Sequence, residues 1–316
     1  MKTTRIRDTA VHVTEMGLGT AQLGDLYVQL DQRDADEIVD AAWGHGIRHF
    51  DTAPHYGLGL SEHRLGRALR GRDDAIVSTK VGRLIVGGGA HARREWDLSG
   101  EGVARSLVAS LRRLERVHVD IAFVHDPDDD DRVDEAIRTA VPALQRLRDT
   151  GDLGAIGVGT KDLPTLLRFV RECDIDVVMV AGRLTLLDHS ALADLVPECA
   201  ARGIAIISAG IFNSGLLATD RPDPASHFEY AAPPAAVLER ARELAAIADR
   251  HGYTLPEAAV TYAREPAPPV ASIVVGADSA AQVARNAALL RADGDVAGLR
   301  AEVEATAAIR SETNQR

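Results

Sequence analysis

The sequence predicts an α/β protein built as a single (β/α)8 TIM barrel, in which eight parallel strands alternate with helices. Short runs of β-branched residues alternate with longer amphipathic segments along the whole chain. Several of these runs are apolar at successive positions, such as residues 121–124 and 204–207, which is typical of a sheet covered on both faces. Strict alternation of strands and helices favours a closed barrel, and a doubly wound open sheet is the alternative.

The eight predicted strands are spaced so that a helix fits between most of them. They are residues 16–20, 48–52, 75–80, 120–125, 155–159, 176–180, 204–208 and 271–276. Between them, apolar residues recur three and four positions apart, as on one face of a helix. Ser99 and Ser279 each precede such a pattern and are predicted to cap the N-termini of two helices.

Two segments interrupt this alternation, but neither divides the chain. No linker or shift in composition separates parts of the 316 residues, so we expect one domain over residues 1–316. A long loop containing Gly87, Gly88 and Gly89 is predicted after the third strand, and another spans residues 218–234 after the seventh. Long loops on a barrel commonly carry function. Trp96 and Tyr230 lie in these loops and are candidates for the wall of a substrate pocket.

The charge balance argues against several classes of partner. The chain has 36 Lys and Arg residues against 47 Asp and Glu residues, a formal net charge of −11. This disfavours binding to nucleic acid or to an anionic membrane. We find no apolar run of ~20 residues and no signal-peptide core near the N-terminus. Cys173 and Cys199 are expected to be free thiols, so the sequence predicts a cytoplasmic protein that acts on a small molecule. No pattern indicates an oligomeric state.

Four chemically active side chains are predicted to meet at the C-terminal ends of the strands, where the active sites of such barrels lie. Asp51 ends the second strand, Lys80 the third and His125 the fourth, and Tyr56 follows on the loop after Asp51. A lysine ammonium beside a phenol favours the phenolate and should make Tyr56 a better acid. Asp51 would hold Lys80, and His125 would orient a substrate oxygen. This set is suited to proton transfer at a carbonyl or hydroxyl group.

Hydride transfer would require a cofactor, because none of these side chains can carry a hydride. Residues 213–216 follow the seventh strand, and residues 276–279 follow the eighth and open a helix. Phosphate sites in barrels are commonly built from these two loops and the N-terminus of a helix. The sequence therefore provides a place for a dinucleotide.

The motifs resemble those of the aldo-keto reductases. The resemblance covers nearly the whole chain and rests on residues 17–20, 50–57, 78–80, 124–125 and 276–286. Residues 181–187 and 212–217 are similar to those of the branch that contains aldose 1-dehydrogenases, among them those acting on D-threo-aldoses or L-fucose, and pyridoxal 4-dehydrogenase. The resemblance implies that Tyr56 is the general acid or base, that Asp51 and Lys80 tune it, and that His125 positions the substrate.

The resemblance also implies which residues hold a nicotinamide dinucleotide. The positions that match are Gly19, Thr20, Asp51, Thr160, Asn213, Gly215, Leu216, Gly276, Ala277, Asp278, Gln282 and Asn286.

Some of these positions depart from the pattern of the family. Asp278 stands where many members carry Lys or Arg for the 2′-phosphate of NADP, so we expect NAD to be preferred, with NADP possible through Arg285. Gly159-Thr160 replaces a common Ser-Asn pair, and Ala181 replaces a common Gln at the nicotinamide amide. The aromatic residue that often stacks on the ring is Ala209 here, with Phe212 as the nearest substitute.

Other features are given simpler interpretations. The four aspartates at 128–131 are expected to form a solvated loop, since consecutive residues cannot all turn toward one ion, and no metal site is predicted. His55 and His63 lack a carboxylate array at the spacing of metal ligands. Arg183 could either contact a sugar hydroxyl or pair with an acid beneath the rim.

The predicted function is NAD(P)-dependent oxidation of an aldose at carbon 1 to the lactone, with Tyr56 as general acid/base. One alternative within the family is an NADPH-dependent aldehyde or ketone reductase, and another is a pyridoxal 4-dehydrogenase. Outside it stand a barrel aldolase that uses Lys80 as a Schiff-base amine, and a protein that binds the cofactor without turnover.

Overall fold

Eight parallel strands close into a barrel in this computed structural model, which describes residues 1–264 and 270–313. A two-stranded hairpin, β1 (Thr3–Arg5) and β2 (His12–Thr14), precedes the barrel. The barrel strands are β3 (Met16–Gly19), β4 (His49–Asp51), β5 (Ile76–Val81), β8 (Val119–His125), β9 (Leu153–Thr160), β10 (Val177–Ala181), β11 (Ala205–Ala209) and β12 (Val270–Gly276). Closure occurs through parallel pairing of β12 with β3. The predicted barrel is therefore confirmed, and the open-sheet alternative is wrong.

Helices surround the barrel. They are α1 (Gln32–Gly44), α2 (Leu60–Ala68), α3 (Gly100–Leu114), α4 (Val133–Glu135), α5 (Val141–Asp149), α6 (Leu163–Glu172), α7 (Leu195–Arg202), α8 (Ala235–Arg250), α9 (Leu255–Arg264), α10 (Ala280–Leu289) and α11 (Val296–Thr313), with a π-helical turn at Ala136–Ala140 between α4 and α5. Both predicted caps are confirmed: the side chain of Ser99 accepts from Gly102 N, and that of Ser279 from Gln282 N.

The segment after the third barrel strand is a hairpin and not the predicted loop. It consists of β6 (Arg83–Val86) and β7 (Arg93–Trp96), with Arg83 opposite Trp96. Gly87 has a φ of 77°, and an added Cβ would lie 2.5 Å from the carbonyl oxygen of His91. Only a glycine fits such a turn. The cluster of three glycines therefore ends a strand, which the sequence pattern alone did not reveal.

The core has two main layers. One lies between the strands and the outer helices, and the other fills the barrel itself. In the inner layer, Ile6, Val11 and Val13 of the first hairpin join Phe123 and Ile207 of the barrel strands. The hairpin therefore closes the N-terminal end of the barrel with apolar side chains. The C-terminal end is left for the polar residues described below.

Three further features of the fold concern predictions from the sequence. Both cysteines are free: Cys199 is buried, and Cys173 is half-buried. The long loop predicted at residues 218–234 contains no helix and no strand beyond an isolated bridge between Phe228 and Ala231. Among the residues described, no helix has the length and apolar character needed to cross a membrane.

Candidate active site

Asp51, Tyr56 and Lys80 come together at the C-terminal ends of β4 and β5. The two strands pair in parallel, so residues that end them lie at the same rim. Lys80 Nζ donates to Asp51 Oδ2 at 2.7 Å, to the carbonyl oxygen of Thr52 at 2.9 Å and to Tyr56 OH at 3.1 Å. All three donor positions of the ammonium are therefore occupied, and the phenol is held against it.

Burial and charge act in opposite directions on this pair. Burial alone lowers the pKa of Lys80, but Asp51 and Tyr56 more than offset it, so the pKa lies above its usual value. Burial raises the pKa of Tyr56 to about 12, and Lys80 only moderates this rise. The predicted effect of Lys80 is present, since the ammonium lowers the pKa of Tyr56, but it does not bring that pKa below the value of free tyrosine. Desolvation of the phenolate is the larger effect here.

His125 ends β8 and faces Tyr56 edge-on, with ring centres 6.0 Å apart. Burial lowers its pKa well below the usual value, and Lys80 lowers it further, so the imidazole is neutral at physiological pH. Its Nδ1 is buried and has no hydrogen-bond partner among the described residues. The other ring nitrogen, Nε2, lies 3.4 Å from Asp126 Oδ2, so the ring keeps one nitrogen without a protein partner beside Tyr56.

Most of the predicted cofactor residues lie on the adjoining part of the same rim, on β3, β12 and the loop after β11. Gly19 and Gly276 sit side by side where β3 pairs with β12. Asn213 and Gly215 form a left-handed turn with φ values of 48° and 102°. The side-chain oxygen of Asn213 is buried without a hydrogen-bond partner among the described residues. An orphaned amide beside an open glycine turn is what a bound dinucleotide would satisfy, so these residues fit the group.

The N-terminus of α10 borders this region. Asp278 N donates to the side-chain oxygen of Gln282 at 3.0 Å, which fixes the loop that enters the helix. Ala277 is buried, and Asn286 is half-buried further along the helix. The side chain of Leu216 is fully buried in an apolar cluster, so its predicted contact with a cofactor would involve the backbone.

Three other residues expected near the cofactor already contact groups of the protein. Thr20 Oγ1 donates to the carbonyl oxygen of Asp51 at 2.8 Å, so it braces the rim. Thr160 Oγ1 donates to Asp128 Oδ1 at 2.5 Å, so its hydroxyl proton is already used within the protein. Phe212 is half-buried and packs against the apolar clusters of the core, and its role as the stacking aromatic stays a prediction.

The predicted substrate residues lie around the mouth of the barrel. Arg183 pairs with Asp188 at 3.2 Å and with Glu229 at 2.8 Å, so of the two readings of this residue the structure shows the acid pairing. Trp96 lies on β7 and contacts the guanidinium of Arg83 at 4.8 Å from the ring centre. Tyr230 is exposed on the long loop.

Three of the four aspartates at 128–131 bond to other side chains: Asp128 to the hydroxyl of Thr160, and Asp129 and Asp130 to arginines. Arg83 pairs with Asp126 at 3.0 Å and with Asp129 at 2.5 Å, and Arg132 pairs with Asp130 at 2.9 Å. These aspartates therefore shape the loop after β8.

Sequence reasoning missed several residues of this rim. Gln22 lies over Gly276, and its buried side-chain oxygen has no hydrogen-bond partner among the described residues. Tyr27 stacks on Tyr230 with ring centres 6.5 Å apart, which joins the first βα loop to the long loop. Gln22 lies two residues after the Gly-Leu-Gly-Thr motif and could have been found from it. Tyr27 could not, since its partner is distant in sequence.

Comparison with known proteins agrees with this geometry. The model of the aldo/keto reductase family matches residues 15–295. A D-threo-aldose 1-dehydrogenase of a Pseudomonas species is 40% identical over 293 residues, covering 87% of this chain and 88% of the relative. A pyridoxal 4-dehydrogenase of Microbacterium luteolum is 35% identical over 312 residues, covering 88% and 90%. A glycerol dehydrogenase of Gluconobacter oxydans has a similar structure, with a TM-score of 0.78, 25% identity and coverage of 96% and 94%.

A closed barrel with a tyrosine beside a buried lysine–aspartate pair at its C-terminal rim defines a class of oxidoreductase. The chain belongs to the aldo/keto reductase family and is an oxidoreductase. Enzymes of this family use nicotinamide cofactors.

Proposed function

We propose that this protein oxidises the anomeric hydroxyl of an aldose to the lactone, with Tyr56 as general acid/base. The observation that carries the proposal is the contact of Tyr56 OH with Lys80 Nζ at 3.1 Å beside the neutral ring of His125. The aldose dehydrogenase that is 40% identical supports the substrate class.

The chain's own residues hold and move one proton in this proposal. The nicotinamide ring supplies the hydride acceptor when the cofactor is bound. Lys80 stabilises negative charge on the oxygen of Tyr56, and Asp51 holds Lys80 in place. Tyr56 takes the proton of the sugar hydroxyl, and His125 orients that oxygen by a hydrogen bond from its ring.

We infer that the dinucleotide is held by Gly19, Asn213, Gly215 and the N-terminus of α10, and that NAD is preferred. Asp278 lies at this N-terminus. Its carboxylate can accept hydrogen bonds from a free ribose diol but would repel a 2′-phosphate.

A second candidate is supported by the pKa of Tyr56. Because burial raises it to about 12, Tyr56 is protonated in the protein alone, which suits a proton donor in carbonyl reduction. The same residues would then reduce an aldehyde or ketone. The aldolase alternative is disfavoured, since a Schiff base requires a neutral amine and Lys80 is held protonated between Asp51 and Tyr56.

A spectrophotometric screen tests the proposal. The purified protein is mixed with NAD or NADP and with L-fucose, L-galactose, D-arabinose, pyridoxal or simple alcohols, and reduction of the cofactor is followed. We expect the largest rate with an aldose and NAD, and a loss of about 10²–10⁴-fold in kcat for Tyr56→Phe. Undiminished turnover by Tyr56→Phe would exclude Tyr56 as the acid/base. A preference for pyridoxal would exclude the aldose.

A further inference from the structure

A chain of buried polar side chains extends from the active site into the interior of the barrel. Asp51 accepts from Lys80 through Oδ2, and its other oxygen, Oδ1, accepts from Ser78 Oγ at 2.7 Å. Ser78 Oγ in turn lies 3.1 Å from Nε2 of His49, whose side chain is fully buried. Ser272 Oγ lies 3.4 Å from the other ring nitrogen of His49.

The number of protons along this chain fixes the direction of each hydrogen bond. A serine hydroxyl has one proton, and Ser78 uses it to donate to Asp51. Ser78 must therefore accept from His49, which places the ring proton of the neutral imidazole on Nε2. Burial lowers the pKa of His49 to about 4, so the imidazole is neutral at physiological pH. The chain then runs in one direction, from His49 through Ser78 to Asp51.

The barrel is shaped to hold this imidazole. An added Cβ at Gly17 would lie 2.7 Å from Nδ1 of His49, so the absence of a side chain there makes room for the ring. Below it, Val13 and Ile6 belong to the apolar cluster that closes the end of the barrel. The ring of His49 is fully buried, so the active-site group that the chain reaches is Asp51. The effect of the chain must be exerted on Asp51.

We propose that His49 and Ser78 are positioning residues, which orient Asp51 and draw part of its charge away from Lys80. This inference rests on the proposed role of Tyr56. A carboxylate that shares its charge with Ser78 neutralises the ammonium less completely, which leaves more of the positive charge of Lys80 to stabilise the phenolate of Tyr56. The hydrogen bond from Ser78 also holds Asp51 in the orientation that keeps Lys80 against the phenol.

Few titratable groups surround Tyr56. Lys80 and Asp51 lie beside it on β5 and β4, and His125 faces it from β8. Tyr230 acts on it electrostatically from the long loop, and His55 contacts His125 with ring centres 5.6 Å apart. None of these groups is itself replaced in the Ser78 and His49 variants, and of them only Asp51 bonds to Ser78. A shift in the pH profile therefore reports on the chain.

The test measures kcat against pH in the oxidative direction, using the sugar that the screen above selects and saturating NAD. Ser78→Ala should move the midpoint of the profile upward by about one unit, equivalent to about tenfold lower kcat at pH 7, with little change in KM. His49→Phe should shift it in the same direction by less. His49→Gln should restore it, because the glutamine amide can donate from the position of Nε2.

Ser208→Ala is the matched control. Ser208 is another fully buried serine on a barrel strand, and it donates to the carbonyl oxygen of Leu184 at 3.1 Å. It should lose similar stability without a change in the pH midpoint. Equal midpoints in Ser78→Ala and the wild type, or equal shifts in Ser78→Ala and Ser208→Ala, would overturn the inference. If Ser78→Ala does not fold, indistinguishable profiles for His49→Phe and His49→Gln would overturn it. Retained turnover by Tyr56→Phe would instead refute the proposed function.

Discussion

The two parts of the barrel rim differ in how their polar groups are satisfied. On β4 and β5, Asp51 and Lys80 bond to other groups of the protein and are almost completely buried. After β11 and at the first βα loop, the side-chain oxygens of Asn213 and Gln22 are buried without a partner among the described residues. Unsatisfied buried amides are costly, and a bound molecule can remove that cost.

This difference indicates which part of the site is preorganised and which part is completed by a ligand. Asp51, Lys80 and Tyr56, which handle the proton in the proposed function, are already bonded to one another within the protein. The proposed dinucleotide side instead keeps buried polar groups available for a ligand. Substitutions on the first side should therefore damage both stability and rate, whereas those on the second should mainly change cofactor affinity.

The largest effect is expected from Lys80→Met. The variant leaves Asp51 buried without its cation, which should lower the free energy of unfolding by about 3–5 kcal/mol. Turnover should fall by about 10²–10⁴-fold, because Tyr56 loses the charge that stabilises its phenolate. Urea unfolding and kcat measurements provide the test.

Lys80→Met/Asp51→Asn is the control for this prediction. It removes the unpaired carboxylate, so stability should return while turnover stays low. If the single variant proved as stable as the wild type, the pair would not be part of a preorganised buried site.

The pH dependence of the unfolding free energy should reveal the lowered pKa of His49. Its pKa is depressed from 6.5 to about 4, so the unfolded chain binds a proton that the folded protein excludes between these values. The corresponding stability is present above pH 6.5 and is lost as the pH falls toward 4. Relative to His49→Gln, which does not titrate, the wild type should lose about 2–3 kcal/mol between pH 7 and pH 4.5.

Urea unfolding at the two pH values measures this difference. The contribution of His125 is common to both proteins and cancels. If the difference in unfolding free energy between the wild type and His49→Gln were the same at both pH values, the imidazole of His49 would not be desolvated.

Asp278→Lys should change the preference between NAD and NADP without affecting the groups on β4 and β5. Replacing an anion with a cation at the N-terminus of α10 should raise kcat/KM with NADP relative to NAD by about 10–100-fold, since a hydrogen bond to a charged group contributes about 1.5–3 kcal/mol. Unfolding free energy should hardly change. Asp278→Asn serves as the control, with a smaller shift because it removes repulsion without adding attraction. If the ratio of kcat/KM with NADP to that with NAD were unaltered in both variants, the 2′ position of the cofactor ribose would not lie at residue 278.

The smallest effect is expected from Arg183→Ala. This residue pairs with Asp188 and Glu229 at the mouth of the barrel, where the partners are exposed enough for water to screen the charges. The free energy of unfolding should fall by less than about 1 kcal/mol. Thermal unfolding of Arg183→Ala and Lys80→Met, measured under the same conditions, compares the two regions directly. A loss as large as that of Lys80→Met would mean that the mouth is as tightly organised as the buried site.

Much of this site could be predicted because it depends on strand ends. Residues that end adjacent parallel strands must lie at one rim, so Asp51, Lys80 and His125 could be brought together from their positions alone. The hairpin at β6 and β7 could not, because its strands pair around a glycine turn whose sequence also fits a flexible loop. The contact of Tyr27 with Tyr230 was equally hidden, since the two residues are about 200 positions apart in sequence.

The sequence alone determined the barrel, the order of its strands and the identity of the four groups at its rim, since hydrophobic periodicity and motif spacing are local properties. Only the tertiary structure decided how those groups ionise. The pKa of Tyr56 depends on how completely the folded barrel excludes water from its hydroxyl, and no local pattern encodes that exclusion. The link from His49 to Asp51 likewise exists only because two neighbouring strands, β4 and β5, place their side chains inside one closed sheet.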